Sequence, residues 1–405
     1  MAGTRSEKRS TANASAVTPA FTAAGRSLAD LVAEHQLVVC CGAGGVGKTT
    51  TAAAIGVAAA LHTDRRVLVV TVDPARRLAD ALGLDAIGNV ERVVSADAFA
   101  GTGLQPLGQL SVAMLDTKQS WDALIARHAP DPRTRDAILA NPLYANITAK
   151  FVQSHDYIAM ERLYELHASA RYDLVVVDTP PSRNALDFLD APARMAEFFG
   201  SRLLRWLTVP YRSRLLNAAS KPFYQVADRI LGSKFLQDIA EFFLLFQTME
   251  KGFVRRAEDV RALLAGPATT FCVVSTLEPT PVREAEFFMA ELGRRRLHLG
   301  ALVLNKVLPA SLLDPEAAAA AMRLGERADS LADRVAPLVS ATAPEVARVL
   351  REVAASFARF RVAAEREAES RESLASAPEV VVSVPQLDGD ITDLAGLAGL
   401  ASRIW

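Results

Sequence analysis

The chain is 405 residues long and half of its residues are apolar, which suits one large α/β domain with insertions or two to three ordinary domains. Its formal net charge is −1 and it carries no basic block, so nothing electrostatic indicates a nucleic-acid partner. No apolar run approaches the roughly 18 to 20 residues of a membrane span, and we expect no integral membrane segment.

Residues 1–26 are rich in Ala, Ser and Thr and lack the apolar stretch of a secretory signal. This composition predicts a disordered tail in front of a single domain over residues 27–405. Three cysteines lie in apolar, strand-like runs and form no C-x-x-C pair, which is typical of buried free thiols in a reducing cytosol. We therefore expect a cytoplasmic protein that is peripheral to a membrane only through partners. The cysteines are Cys40, Cys41 and Cys272.

Ser27 is a candidate N-cap of a short first helix, and the Ala-rich segment 48–61 is predicted to form a second one. Seven apolar runs are predicted strands, at 36–41, 65–74, 110–116, 172–181, 269–276, 299–307 and 379–387. These runs are continuous rather than alternating, so helices should cover both faces of the sheet. The predicted fold class is α/β, with a mostly parallel, doubly wound sheet.

Helical insertions are predicted at about 117–170, 188–265 and 314–373. The second contains a stripe of Leu, Ile, Phe and Met over residues 236–253, which is typical of a hydrophobic core or of a groove for a client. The third contains a regular helical stripe followed by charged residues that are typical of a solvated face. The members of that stripe are Val346, Val349, Leu350, Val353, Phe357 and Phe360.

Two nucleotide-binding motifs overlap in the segment CCGAGGVGKTTTAAAIG, between the first strand and the second helix. Gly42, Gly44 and Gly47 fit the dinucleotide fingerprint G-x-G-x-x-G. Gly42, Gly47, Lys48 and Thr49 fit the P-loop G-x-x-x-x-G-K-[ST]. The loop could therefore hold either NAD or a nucleoside triphosphate on glycine spacing alone.

The residues beyond the glycines favour the triphosphate. A dinucleotide site needs an acidic residue about 20 residues further on, and Asp73 lies late, 26 residues after Gly47. Lys48 and Thr49 supply an ammonium group and a hydroxyl that a triphosphate with Mg²⁺ uses and a pyrophosphate does not need. Asp178 ends an apolar strand in the Walker B pattern and would hold Mg²⁺ through a water. The predicted phosphate-binding residues are Gly42, Gly44, Gly45, Val46, Gly47, Lys48, Thr49 and Thr50, with Mg²⁺ held by Thr49 and Asp178.

Four segments occur in a characteristic order: GAGGVGKTT, VTVDPARRLADALG, VVVDTPPSRNALDFL and LVLNKV. In this combination the chain resembles the ArsA-type ATPases, the family of the arsenite-pump ATPase and of the ATPase that guides tail-anchored membrane proteins. The resemblance covers roughly residues 36–403. It implies a P-loop fold, Mg-ATP binding and hydrolysis, and a dimer whose two ATP sites face each other across the interface.

The resemblance also implies roles for single residues. Asp73, in the first switch, would orient the attacking water, and Asp178 would begin the second switch. Asn305, after an apolar strand, matches the asparagine that reads adenine, and Pro385 matches the segment that packs on the base. Lys48, Asp73 and Asp178 are the candidate catalytic residues.

This sequence departs from the family at the position of a second loop lysine, which reaches the phosphates of the partner subunit and is here Ala43. Such a cation contributes several kcal/mol where it is present. Two copies of this chain would lack it at both sites, so we favour a heterodimer with a paralogous ATPase that carries the lysine over a homodimer. Arg183 and Asn184 stand where the targeting ATPases have Gly-His in the second switch, so that histidine is missing here. Arg183 is a candidate substitute cation.

Metal chemistry of the family is not expected here. No C-x-x-C follows Asn305, so the interfacial zinc of the eukaryotic targeting ATPase should be absent. Arsenite requires converging thiolates, and none of the cysteines lies in the helical insertions where that site would be.

Two hypotheses remain for the use of ATP. In the first, the chain couples nucleotide-driven dimer closure to a hydrophobic protein client or a membrane-associated partner. In the second, favoured by Ala43, it is a regulatory or scaffolding subunit with low intrinsic hydrolysis. A third, a positioning ATPase, is weaker because the segment LAGLAGLASRIW resembles a packed last helix more than a membrane-binding one.

Overall fold

The structure is a computed structural model. It describes residues 25–72, 82, 90–115, 117–141, 144, 152–180, 189–191, 193–194, 197, 241–245, 248–374, 378–387 and 389–405. The predictions for the tail before residue 25, for Asp73 and Arg183, and for most of 188–247 lie outside these residues.

An eight-stranded sheet forms the centre of the described chain, in the order β3-β4-β2-β5-β1-β6-β7-β8. Every neighbouring pair is parallel except β3 and β4. The strands are β1 (Leu37–Gly42), β2 (Arg66–Thr71), β3 (Arg92–Val93), β4 (Gln109–Met114), β5 (Leu174–Asp178), β6 (Thr269–Ser275), β7 (Leu299–Val307) and β8 (Val380–Pro385). All seven predicted strands are confirmed, and the mostly parallel α/β fold with them. The short antiparallel β3 was not predicted, because both of its residues are exposed and it has no apolar run.

Helices flank the sheet and fill the intervals between the strands. Those that the structure bounds are α1 (Leu28–Glu34), α2 (Lys48–His62), α3 (Thr117–His128), α4 (Pro132–Ala140), α5 (Val152–Ala168), α6 (Glu250–Ala265), α7 (Pro279–Arg294), α8 (Pro315–Glu326), α9 (Ala328–Val339), α10 (Ala343–Leu374) and α11 (Leu394–Ile404). Ser27 caps α1 as predicted, in a reciprocal capping box with Asp30. Among the described residues, no helix has the length and apolar character needed to cross a membrane.

Alternate residues of the central strands point into two separate apolar layers. In β1, Val38 and Cys40 pack with the Ala-rich helix α2 and with α11, in what we call the α2 cluster. Val39 and Cys41 pack on the opposite face with α5, α6 and α7, in the α7 cluster. Both faces of the strand are therefore buried, which is why its sequence is continuously apolar.

The helical insertions have a core of their own, which we call the insertion cluster. It joins buried side chains of α3, α4, α5 and α6. Met249 and Phe253 of the predicted stripe are buried in it, whereas Phe243 of the stripe packs against it half-buried. Phe242, which the sequence places on another face of the helix, is buried in it. In the described part of the chain, this stripe therefore behaves mainly as core.

The predicted stripe on α10 is only partly core. Val346 is buried against α9, whereas Val349, Val353 and Phe360 are more than half exposed. The reason is that α8 and α9 both pack against the 32-residue helix but do not cover the edge of its apolar face.

Candidate nucleotide site

A glycine-rich loop connects the carboxyl end of β1 to the first turn of α2. A Cβ atom on Gly42 would lie 2.1 Å from the carbonyl oxygen of Val274 on the neighbouring strand β6. Gly47 has φ 93°, and a Cβ there would lie 2.3 Å from Nδ2 of Asn305. Both positions therefore require glycine, for space and for backbone conformation. At Gly44 and Gly45 an added Cβ would meet nothing within 4 Å, so this side of the loop faces open space.

The loop presents the beginning of α2 without a side-chain cap. Gly47 is the N-cap residue and brings no side-chain hydrogen bond to the helix N-terminus. Such a terminus offers N–H donors and a positive partial charge to an anion. Lys48 is the first helical residue, and its Nζ donates a 2.8 Å hydrogen bond to the carbonyl oxygen of Ala43. The ammonium group therefore folds back over the loop, with its side chain buried.

A threonine–aspartate–threonine arrangement lies beside the loop. The hydroxyl of Thr49 donates a 2.7 Å hydrogen bond to Oδ2 of Asp178, and the hydroxyl of Thr71 donates one of 3.0 Å to the same oxygen. Asp178 and Thr71 are each 1% exposed. Parallel strand register explains the convergence, since Asp178 at the end of β5 pairs with Cys40 of β1 on one side and with Thr71 of β2 on the other.

These residues fit magnesium and a phosphate chain. Hydroxyl and carboxylate oxygens are the hard ligands that Mg²⁺ takes, and Mg²⁺ is usually held by one or two protein groups together with substrate phosphates. Among the described residues, no group of three or more His, Cys, Asp and Glu side chains could hold a metal ion. The open side of the loop at Gly44 and Gly45 leaves room for the phosphates themselves.

Asn305 contacts the loop directly. Its Nδ2 donates a 2.9 Å hydrogen bond to the carbonyl oxygen of Val46, and its Oδ1 accepts one of 2.9 Å from the N–H of Lys306. Reading of adenine by this amide would require it to exchange these bonds. Pro385 is exposed at the end of β8, paired with Val307. Both residues thus lie at the carboxyl ends of neighbouring strands, as the sequence predicts.

The other residues of the loop and of the first turn of α2 are buried or half-buried. Val46 packs in the α2 cluster, and Thr50 is half-buried in the first turn of α2. Ala43 is 7% exposed and packs in the α2 cluster.

Sequence reasoning missed two contributors to this site. Thr71 is not among the predicted site residues, although a polar residue at the end of an otherwise apolar strand is a usable signal. Thr179, which donates a 2.8 Å hydrogen bond from its hydroxyl to the carbonyl oxygen of Cys40, ties the exit of β5 to β1. Its signal is weaker, because a threonine after a strand commonly faces solvent.

The three thiols lie in two neighbouring interior strands, β1 and β6. Cys40 pairs in register with Cys272, and all three cysteines are buried. A hydrogen bond with Cys272 and burial raise the pKa of the Cys40 thiol well above its usual value. Burial raises the pKa of Cys41 to about 12. These are inert thiols, as their apolar surroundings in the sequence indicate.

The glycine loop ends in a buried lysine, and the threonine that follows in the first turn of the helix bonds a carboxylate at the end of a parallel strand. This arrangement defines a P-loop nucleoside triphosphatase. Residues 35–333 match the model of the ArsA ATPase family, described as anion-transporting ATPases. This match covers most of the chain, so the chain belongs to the ArsA family, and it is an ATPase.

Named relatives agree at low identity. The chain is similar to "ATPase GET3" of Komagataella phaffii, with 23% identity over 66% of this chain and 71% of the relative. It is similar to "ATPase GET3" of Malassezia globosa, with 24% identity over 67% and 72%. It is also similar to "ATPase ASNA1 homolog" of Entamoeba dispar, with 24% identity over 66% and 75%.

Proposed function

We propose that the chain binds Mg-ATP between its glycine loop and Asp178 and couples nucleotide-driven dimer closure to a hydrophobic client or a membrane-associated partner. The observation that carries the nucleotide part is the hydrogen bonding of Thr49 and Thr71 to one buried carboxylate oxygen of Asp178. It supports the assignment of Thr49 and Asp178 as the magnesium-binding pair.

The other residues would act around that pair. Lys48, 2.8 Å from the carbonyl oxygen of Ala43, would exchange this bond for the β- and γ-phosphate oxygens and neutralise charge that develops in the transition state. N–H groups from Gly44 to Lys48 would hold the phosphates. Mg²⁺, when bound, supplies charge neutralisation on the transferred phosphoryl group. Asp73 would orient the attacking water, Asn305 would read adenine and Pro385 would pack on it.

Ala43 supports a heterodimer. Its methyl group cannot replace the cation that the family supplies across the interface. A paralogous ATPase with a lysine at this position would provide that charge to the site of the present chain. We propose that the complex acts in the cytoplasm and meets a membrane only through its partners.

The insertion cluster supports the client hypothesis. Its aromatic and aliphatic residues form a body separate from the two sheet clusters. Phe243 and Leu245 are only half-buried in it, so apolar surface remains at its edge. A client segment would bind where such surface becomes continuous on dimer closure.

The first test is calorimetry of the full chain with ATP, with and without Mg²⁺, and with NAD. Magnesium-dependent uptake of ATP supports the proposal, whereas uptake of NAD in the loop, or of neither nucleotide, contradicts it. The second test compares the ATPase rate of the purified chain with that of the native complex. Equal rates would rule out the need for a lysine from a paralogue.

The Ala43→Lys variant gives a sharper test, with Ala43→Met as the matched control of similar length without charge. If the missing cation limits turnover, the lysine variant alone should hydrolyse ATP at least about tenfold faster than the methionine variant. Ala43 is buried in the α2 cluster, so both longer side chains should lower the melting temperature, and the charged lysine should lower it more than methionine does. A faster rate in the lysine variant therefore cannot come from a more stable fold.

The second candidate, a regulatory or scaffolding subunit, is favoured by Ala43 as well. It predicts that Lys48→Ala leaves the function of the partner unaltered. The client hypothesis predicts that Phe243→Asp abolishes client capture while circular dichroism shows an intact fold.

A further inference from the structure

A short segment connects the core beneath the sheet to the core of the insertions. Leu189 packs in the α7 cluster, together with Val175 and Val177 of β5. Ala191, two residues later, packs in the insertion cluster. Between them, Asp190 forms an ion pair with Arg295 at the end of α7. The chain that leaves the nucleotide site at Asp178 therefore passes this point on its way into the insertion.

Arg295 lies at the C-terminus of α7, where backbone hydrogen bonds hold the chain in place. Arg295 is the C-cap residue of α7, and Arg296 follows with φ 57°. The N–H of Leu297 donates to the carbonyl oxygen of Leu292 at 2.9 Å, and the N–H of Arg296 donates to that of Gly293 at 3.1 Å. This is a Schellman motif, with Leu292 and Leu297 both packed in the α7 cluster. The backbone of Arg295 cannot shift without breaking it.

The contact is bidentate. Nη1 of Arg295 bonds Oδ1 of Asp190, and Nη2 bonds Oδ2 at 3.1 Å. The Nε of Arg295 also lies 3.5 Å from the buried carboxylate of Glu291 on the preceding turn. Two parallel bonds fix orientation as well as distance. Since Asp190 and Arg295 are 37% and 29% exposed, the pair adds little to global stability, and its main effect is positional.

We infer that Asp190 and Arg295 are a positioning pair through which the nucleotide state at Asp178 is transmitted to the insertion cluster. The inference rests on the proposed function, since it concerns the response to Mg-ATP. Val175 and Val177 of β5, the strand that ends at Asp178, belong to the same cluster as Leu189, so a shift at the end of β5 reaches Leu189 through the packing of the α7 cluster. With Asp190 held on α7, that shift becomes a rotation that displaces Ala191 in the insertion cluster. Without the ion pair, residues 189–191 can move along α7, and the displacement does not reach the insertion cluster.

Hydrogen exchange of the full chain, followed by mass spectrometry, tests this directly. Mg-ATP should change exchange in the glycine loop and in α3 and α5, whose side chains form the insertion cluster. In Arg295→Gln and in Asp190→Asn the change at the loop should persist and the change in α3 and α5 should fall by about fivefold or more, the lower end of ordinary coupling between sites. The reversed pair, Asp190→Arg with Arg295→Asp, should restore part of the response.

Arg294→Gln is the matched control. Arg294 is the neighbouring arginine, 73% exposed and paired with Glu291 rather than with Asp190. Arg294→Gln should retain the changes in hydrogen exchange that Mg-ATP causes at the glycine loop and in α3 and α5. A response of α3 and α5 that survives in Arg295→Gln overturns the inference while leaving the proposed function intact. A chain without any response at the loop fails the proposed function, and the inference with it. Equal ATP affinity of the variants, measured by calorimetry, separates lost transmission from lost binding.

Discussion

The hydroxyl of Thr49 and the carboxylate of Asp178 meet at 2.7 Å although 129 residues separate them in the chain. β5 brings them together, because it lies between β1 and β2 and ends at the level of the glycine loop. Thr71 joins them from β2. A single oxygen of Asp178 thus receives hydroxyls from two different elements, which fixes the orientation of the carboxylate.

The first prediction concerns the dependence of ATP binding on magnesium. Thr49→Ala should reduce the gain in ATP affinity that Mg²⁺ provides by about tenfold, because one oxygen ligand and one hydrogen bond to a charged group are lost. Thr49→Ser keeps the hydroxyl and should retain most of the gain. Calorimetric titrations with ATP in the presence of Mg²⁺ and of EDTA measure this gain in affinity for each variant. Equal magnesium dependence in the alanine and serine variants would disprove the role of the hydroxyl.

The second prediction concerns turnover. Lys48→Ala should lower the ATPase rate of the native complex by about a hundredfold or more at the site of this chain, because the ammonium group stabilises charge that develops on the phosphoryl oxygens. Lys251→Ala removes an exposed lysine from α6 and serves as the control. A single-turnover assay with labelled ATP gives the rate. A loss confined to KM, with kcat unchanged, would assign Lys48 to binding alone.

The third prediction compares alanine substitutions at Gly42 and Gly47, the two loop glycines at which an added Cβ would clash. Gly47→Ala should destabilise the fold by about 2 to 5 kcal/mol, through a left-handed backbone and a clash with the Asn305 amide. In an Asn305→Ala background the same change should cost only about 1 to 2 kcal/mol, since the clash is removed and the backbone strain stays. Gly42→Ala meets the backbone oxygen of Val274 and should gain nothing from Asn305→Ala. Denaturant unfolding of the five variants provides the comparison, and additive effects of Gly47→Ala and Asn305→Ala would show that the amide yields freely.

The fourth prediction concerns pH. Hydrogen bonds from the side chain and backbone N–H of Arg66 lower the pKa of Asp173 to about 2, from an ordinary value of 3.8. Because folding lowers this pKa, ionised Asp173 stabilises the native state at pH values above its ordinary pKa. This contribution to the free energy of unfolding is lost as the pH falls from about 4 to about 2. Because both side chains are well exposed, Arg66→Gln should cost less than about 1 kcal/mol at pH 7.

Urea unfolding of the parent chain and of Arg66→Gln, at pH 7 and at successively lower pH, measures this difference. The difference in free energy of unfolding between the two proteins should become smaller below pH 4. A difference that grows on acidification would contradict the predicted direction of the pH effect.

Much of the fold follows from sequence pattern. Strands such as β1 and β5 are buried on both faces, so their apolar runs stand out, and the glycine–lysine–threonine order identifies the loop. Strand order does not follow, because the position of β5 between β1 and β2 depends on long-range packing. The contact of Asn305 with Val46 could not be predicted for the same reason. On α10 the helical period is visible in the sequence, but which part of the stripe α8 and α9 cover depends on how those helices pack.

The positions of the three thiols have a practical consequence. Cys40, Cys41 and Cys272 are buried in two neighbouring interior strands of the sheet, and they are the only cysteines in the chain. A thiol-alkylating reagent in native buffer reaches them only in molecules whose central strands have separated. The rate of modification therefore reports the opening of the whole domain without any introduced label, and slower alkylation with a bound nucleotide would measure how much that nucleotide stabilises the native state.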